Sequence, residues 1–136
     1  MDAERALFEG QIQGLVVTFY QNERPLGGLA GIIDWYFRGA LSQYIQKGAI
    51  AGKAGECVYI PLVHLGSTYH IILAGAGDST SPGHRHPLPA TTLRALQQNL
   101  ISLRLPSIGI SMSDFGQSSP DSFAQSLKGV SLWIAP

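Results

Sequence analysis

The sequence predicts an α/β fold, a three-layer α/β/α arrangement in which helices cover both faces of a mixed, mostly parallel sheet. Two compact apolar runs, Leu15–Tyr20 and His70–Gly77, are suited to strands buried on both faces. A long amphipathic helical pattern lies between them, and a second helical pattern and further strands follow. Strands that alternate with helices imply a largely parallel sheet. The 136 residues show no fixed-period repeat and no dividing linker. They are expected to form one domain, 1–136, that buries roughly two-thirds of its unfolded surface.

The elements follow in order. Weak apolar spacing around Ala6–Phe8 fits either an edge strand or a turn of helix. Leu15–Tyr20 is the first buried strand, and Pro25, Gly27 and Gly28 break regularity after it. Leu29, Ile32, Ile33, Phe37, Ala40, Leu41, Tyr44 and Ile45 then recur at spacings of three and four, which predicts one continuous helix with a single apolar face. Lys47 and Gly48 supply a cation and a C-cap at its end. Gly39 inside it costs about 0.5–1 kcal/mol relative to Ala, tolerable where a neighbouring backbone packs close.

Ala51–Glu56 is a turn, and Cys57–Val63 is a strand in which Pro61 calls for an edge, a bulge or a bend. Leu65–Tyr69 is expected to be a short connection and His70–Gly77 a central strand. Asp78–Pro87, crowded with Ser, Gly, Pro and His, is the expected flexible segment. Pro89 and Thr91 or Thr92 begin a second helix with Leu93, Leu96, Leu100 and Leu103 inward, and Pro106 ends it. Ser107–Met112 is a strand. Ser119 and Pro120 open a further helix, and Ser131–Ala135 closes the sheet, with Trp133 in the core.

Composition limits the function. Apolar residues make up 45% and charged residues 13%, and nine Lys plus Arg balance nine Asp plus Glu. So few charges leave much of the surface neutral, which favours self-association or a protein partner. The zero balance argues against nucleic acid, because phosphate neutralisation wants a basic face. The acidic N-terminus is unlike a secretory signal, and no run of about eighteen apolar residues could span a membrane. A cytoplasmic protein without membrane attachment is expected. The single cysteine, Cys57, reads as a small buried hydrophobe.

Several residues invite chemistry. His84 and His86 are one residue apart, but a zinc site needs three or four ligands and only Asp78 lies near in sequence. Surface histidines are the simpler reading, so no metal and no cofactor are expected. Lys53 and Glu56 are read as solvated turn residues rather than an acid–base pair. Ser111, Ser113 and Asp114 cluster, yet a triad also needs a placed histidine. Neither a Gly-x-Ser-x-Gly elbow nor a Walker lysine motif occurs. Trp35, Tyr36, Phe37 and Tyr44 cannot all turn inward from one helix. Trp35 or Tyr36 should therefore stand off the main face, either as an interface or beneath the N-terminal segment.

The strand Leu15–Tyr20, the helix with Gly39-Ala40-Leu41, the turn Gly52-Lys53-Ala54-Gly55-Glu56 and the strand ending Ala74-Gly75-Ala76-Gly77 together resemble the N-terminal domain of leucyl aminopeptidases, a relative of the macro domain. The resemblance covers roughly Leu15–Ile110, and the Gly-Lys-Ala-Gly-Glu turn is its most specific piece. It implies a macro-like fold and a non-catalytic domain that helps arrange an oligomer. The two-metal peptidase domain of that family carries an Asn-Thr-Asp-Ala-Glu-Gly-Arg-Leu run, which does not occur here. Peptidase activity is therefore not expected, and no catalytic residue is assigned.

The macro-domain relationship implies a second reading. Such domains cradle the pyrophosphate of ADP-ribose with two glycine-rich loops, and backbone N–H groups at a helix N-terminus make good anion sites. Gly27, Gly28 and Gly31, with Asn22 upstream, resemble the first loop. Ser111, Ser113, Phe115 and Gly116 resemble the second. Ser113 stands where the family has glycine, Asp114 adds a negative charge, and the paired asparagines reduce to one. The leading expectation is an assembly or regulatory interaction module, forming a homo-oligomer or holding a protein partner, with Trp35 and Tyr36 at the interface. The alternative is binding or hydrolysis of an ADP-ribose-like ligand, and it depends on whether Asp114, Phe115 and the N-terminal segment leave the cleft open.

Overall fold

A computed structural model of the chain describes residues 2–79, 86–115, 127 and 131–135. The elements are α1 (Ala3–Phe8), β1 (Gly14–Phe19), α2 (Gly28–Tyr36), α3 (Ala40–Gln46), β2 (Cys57–His64), β3 (Ser67–Gly75), α4 (Ala90–Leu103), β4 (Ser107–Ser111), α5 (Met112–Phe115) and β5 (Ser131–Ala135). The five strands form one sheet in the order β2-β3-β1-β4-β5. β1 pairs in parallel with β3 and β4, and β4 in parallel with β5. Only β2 runs antiparallel, against β3. The sheet is thus mixed and mostly parallel, as the alternation of elements implies.

Alternate residues of β1 divide between two cores. Leu15, Val17 and Phe19 pack with Ala6 and Leu7 of α1, Ile33 of α2 and Leu41 of α3. Val16, with Tyr20 just past the strand, faces the other way, onto Leu96 and Leu100 of α4. Helices therefore cover both faces, and all six residues of β1 are buried at the centre of the three layers. The edge strand is β2, and Pro61 lies within it, where a missing N–H costs the ladder least.

The predicted continuous helix is two helices. Arg38 and Gly39 both adopt left-handed backbone, at φ 57 and φ 82, and end α2 before α3 begins. A Cβ on Gly39 would meet nothing within 4 Å, so this glycine serves a backbone turn and not a close neighbour. Ile32 of α2 and Tyr44 of α3 are exposed although both fit the spacing.

The expected connection at Leu65–Tyr69 is shorter than predicted. Only Leu65 and Gly66 turn, both at positive φ, and β3 already begins at Ser67. Ala6–Phe8 belongs to a helix, and β4 ends at Ser111, with Met112 starting α5. Trp133 is partly buried against the core. The helix expected from Ser119 and Pro120 lies outside the described residues.

Candidate functional site

Ligands of open α/β sheets bind beyond the carboxyl ends of the strands, at the point where strand order reverses. From β1 the chain crosses to the edge strand β2, comes back through β3 beside β1, then crosses to the other side for β4 and β5, so the reversal lies between β1 and β4. Those two strands pair only at Gly14↔Ile108 and Leu15↔Gly109 and part beyond them. The gap is closed from within. The short helix α5 turns Asp114 back toward β1, and the Thr18 N–H donates to Asp114 Oδ2 at 3.0 Å. Asp114 is only 2% exposed.

The loops around this end are tied together by backbone bonds. Ala76 N–H donates to the Phe19 carbonyl, Gln21 N–H to that of Gly77, and Gly77 N–H to that of Gly52. Arg24 strengthens the knot, donating to the carbonyls of Tyr20, Glu23 and Ala51 and lying 5.3 Å from the Phe19 ring centroid. Gly75 is required here, because a Cβ on it would stand 2.2 Å from the Lys53 carbonyl oxygen.

Of the two turn residues expected to be solvated, Lys53 is exposed, whereas Glu56 is half-buried and turned onto backbone. Glu56 Oε1 accepts from the backbone N–H groups of Ala51, Gly52 and Lys53 at 3.2, 2.9 and 2.6 Å. Three convergent N–H groups are an anion nest, and the chain's own carboxylate fills it. Thr92, fully buried in the first turn of α4, locks the turn to the sheet by donating to the Gly75 carbonyl at 2.7 Å and accepting from the Gly55 N–H at 2.9 Å.

The candidate ligand residues divide. Gly28, Ser111 and Ser113 line one cavity of about 270 Å³, together with Asp2, Glu4 and Ile32. The hydroxyls of Ser111 and Ser113 are 2.7 Å apart. Asn22 is engaged elsewhere: its amide donates to the Ser79 carbonyl and its Oδ1 accepts the Ser79 N–H, both at 2.9 Å. Gly31 is a packing glycine, since a Cβ there would lie 2.4 Å from the Leu26 carbonyl oxygen. Gly27 is the N-cap of α2, and a Cβ on it would be 3.0 Å from Glu23 Oε2. The Glu23 carboxylate thus lies at the positive end of the α2 dipole. Phe115 is the last residue of α5, and Gly116 lies outside the described residues.

Small-molecule pockets usually enclose about 300–1,000 Å³. The cavity by Gly28 falls just below that range, and the N-terminal helix forms one wall. Its acids, Asp2 and Glu4, would repel a diphosphate. Ala3, Ala6 and Leu7 hold that helix in place, all buried in the first core. The sequence did not single out Glu23, Asp2 or Glu4. For Glu23 the signal was its closeness in sequence to Gly27; Asp2 and Glu4 lie far from both loops in sequence and gave none.

Other chemistry finds little support. Burial pushes the Cys57 thiol up to about 12, so it is a neutral thiol at physiological pH and a poor nucleophile. Among the described residues, no three His, Cys, Asp or Glu side chains converge on a point. His84 lies outside the described residues, and the His86 N–H donates to the Tyr20 hydroxyl. No helix among the described residues is long and apolar enough to cross a membrane.

The outer face of α2 is different in kind. Tyr36 stacks on Phe8 of α1 at 3.9 Å between ring centroids, so the N-terminal segment covers one of its faces, although the residue stays 40% exposed. Trp35 is 81% exposed. Beside it opens a mainly apolar cavity of about 700 Å³, bordered by Pro25, Leu26, Gly39 and His64.

Comparison with solved structures confirms the architecture. The chain is 18% identical to the macrodomain of Mycobacterium tuberculosis DarG, with a TM-score of 0.69, covering 96% of this chain and 92% of that one. Thermosipho africanus DarTG, solved in complex with ADP-ribose, gives a TM-score of 0.66 at 12% identity, covering 96% of this chain and 39% of that one. A tomato leucine aminopeptidase mutant gives 0.59 at 18% identity, covering 92% of this chain and 30% of that enzyme. At these identities the likeness shows a shared fold. No curated protein sequence matches the chain. The family model described as the cytosol aminopeptidase family, N-terminal domain, matches residues 16–129, and the chain belongs to that family.

Proposed function

We propose that this domain is a non-catalytic interaction module that assembles through the outer face of α2. The exposure of Trp35 beside an apolar groove carries this reading. Aromatic side chains are enriched at interface centres, and an indole left 81% in water gains by being covered. Oxidative footprinting tests it. Trp35 should be protected in an extract of the source cells and oxidised freely in dilute purified protein. Equal oxidation in both would sink the proposal.

The second reading is ADP-ribose binding, favoured by the shared cavity of Gly28, Ser111 and Ser113 and by the macrodomain likeness. The internal carboxylates of Glu23, Glu56 and Asp114 weigh against it. Glu23 and Asp114 lie at the two loops where such a domain would meet a diphosphate, and Glu56 fills the adjoining Gly52–Glu56 turn. Calorimetric titration with ADP-ribose should give no heat. Micromolar binding that Gly28→Glu abolishes, in a variant whose melting is checked, would promote this reading over the first.

A further inference from the structure

The α2 face holds both halves of a contact. Trp35 is a projecting apolar knob that also forms one wall of the mainly apolar cavity of about 700 Å³ beside it, which Pro25, Leu26, Tyr36 and Gly39 complete. The Tyr36 wall of the cavity is pre-set, because Tyr36 is stacked on Phe8 and in edge contact with Phe37 and His64. Exposed Val63 continues the apolar surface past His64.

The charges on this face also come as a complementary set. Arg38 and Asp34 both border the cavity. Asp34 accepts from the backbone N–H and hydroxyl of Ser42, and among the described residues neither charge is in an ion pair. With nine cations against nine anions, two copies of this chain do not repel each other through net charge.

A projecting side chain, an adjacent groove and opposite charges on one patch are what an isologous interface needs, since there residue i meets j while j meets i. We infer that the occupant of this face is a second copy of the chain, paired about a twofold axis. Trp35 of each copy enters the groove of the other, and Arg38 of each lies against Asp34 of the other. The inference rests on the interaction reading above and names its partner.

Sedimentation equilibrium on the purified chain tests it, between about 1 and 200 µM, where a weak homodimer forms by mass action. A single monomer–dimer equilibrium is expected. Trp35→Glu should weaken it by at least about tenfold, as loss of an interface anchor does, with melting unchanged. Arg38→Glu should weaken it roughly fivefold, the scale of an exposed ion pair, and stands as the second variant if Trp35→Glu folds poorly. A monomer throughout the range overturns the pairing. So does a trimer or larger species, or a dimer that neither substitution weakens. If the purified chain stays monomeric while Trp35 is protected in the extract, the pairing falls and the interaction reading stands. If protection is also absent, both fall.

Discussion

The carboxyl end of the sheet and the outer face of α2 are neighbouring surfaces built on opposite principles. At the sheet end, N–H groups that could hold an anion already face the protein's own acids. Asp114 takes the Thr18 N–H, Glu56 takes three in the Gly52–Glu56 turn, and Glu23 lies against Gly27. On the α2 face Trp35 has almost no cover and borders an apolar groove. Fold alone does not set binding chemistry, so the two surfaces have to be weighed by what lies at each, and at the sheet end acids lie beside the backbone. The contrast directs attention to the surface whose partner is not supplied by the chain itself.

Stability measurements can break this contrast. Glu56→Ala removes the shared acceptor of three N–H groups, and a charged acceptor lost from this half-exposed turn should cost about 2 kcal/mol. Asp114→Ala strands the Thr18 N–H between two parted strands and should cost about 2 kcal/mol. Thr92→Val keeps the shape but leaves the Gly75 carbonyl and the Gly55 N–H without their bridge, for about 1.5 kcal/mol. Trp35→Ala, at an exposed site, should stay within about 0.5 kcal/mol of the parent. Urea midpoints at matched slopes read all four. A Trp35 cost as large as that of Asp114 would mean the indole is structural, and the comparison would collapse. A Glu56→Ala protein as stable as its parent would remove the sheet end from the argument.

Much of the architecture was legible in the sequence. The β-branched and aromatic run at Leu15–Phe19 and the apolar run through Ile71–Ala74 are continuous because both faces of their strands are covered. Pro61, through its missing donor, called for an edge, a bulge or a bend, and its strand is the edge. Leu96 and Leu100 marked the inner side of α4 through their spacing. The break between α2 and α3 was not legible, because Gly39 fits a helix at a modest cost and only its positive φ reveals the turn. At the candidate site, Gly28, Ser111 and Ser113 could be paired from motif likeness, and they do share a cavity. The engagement of Asn22 with Ser79 could not be foreseen, because it joins residues 57 positions apart.

The sequence by itself determined the central strands and the α4 helix, that the sheet is mostly parallel, and that one aromatic of α2 must stand away from the core. These follow from local periodicity and turn chemistry, which act over a few residues. Only the tertiary structure decided that Asp114 fills the gap between β1 and β4, that Glu56 gathers three N–H groups, and that the aromatic left exposed is Trp35 while Tyr36 stacks on Phe8. The physical reason is that charge and hydrogen-bond satisfaction depend on distance in space. The chain brings Asp114 to Thr18 across 96 residues, and no local pattern records that meeting.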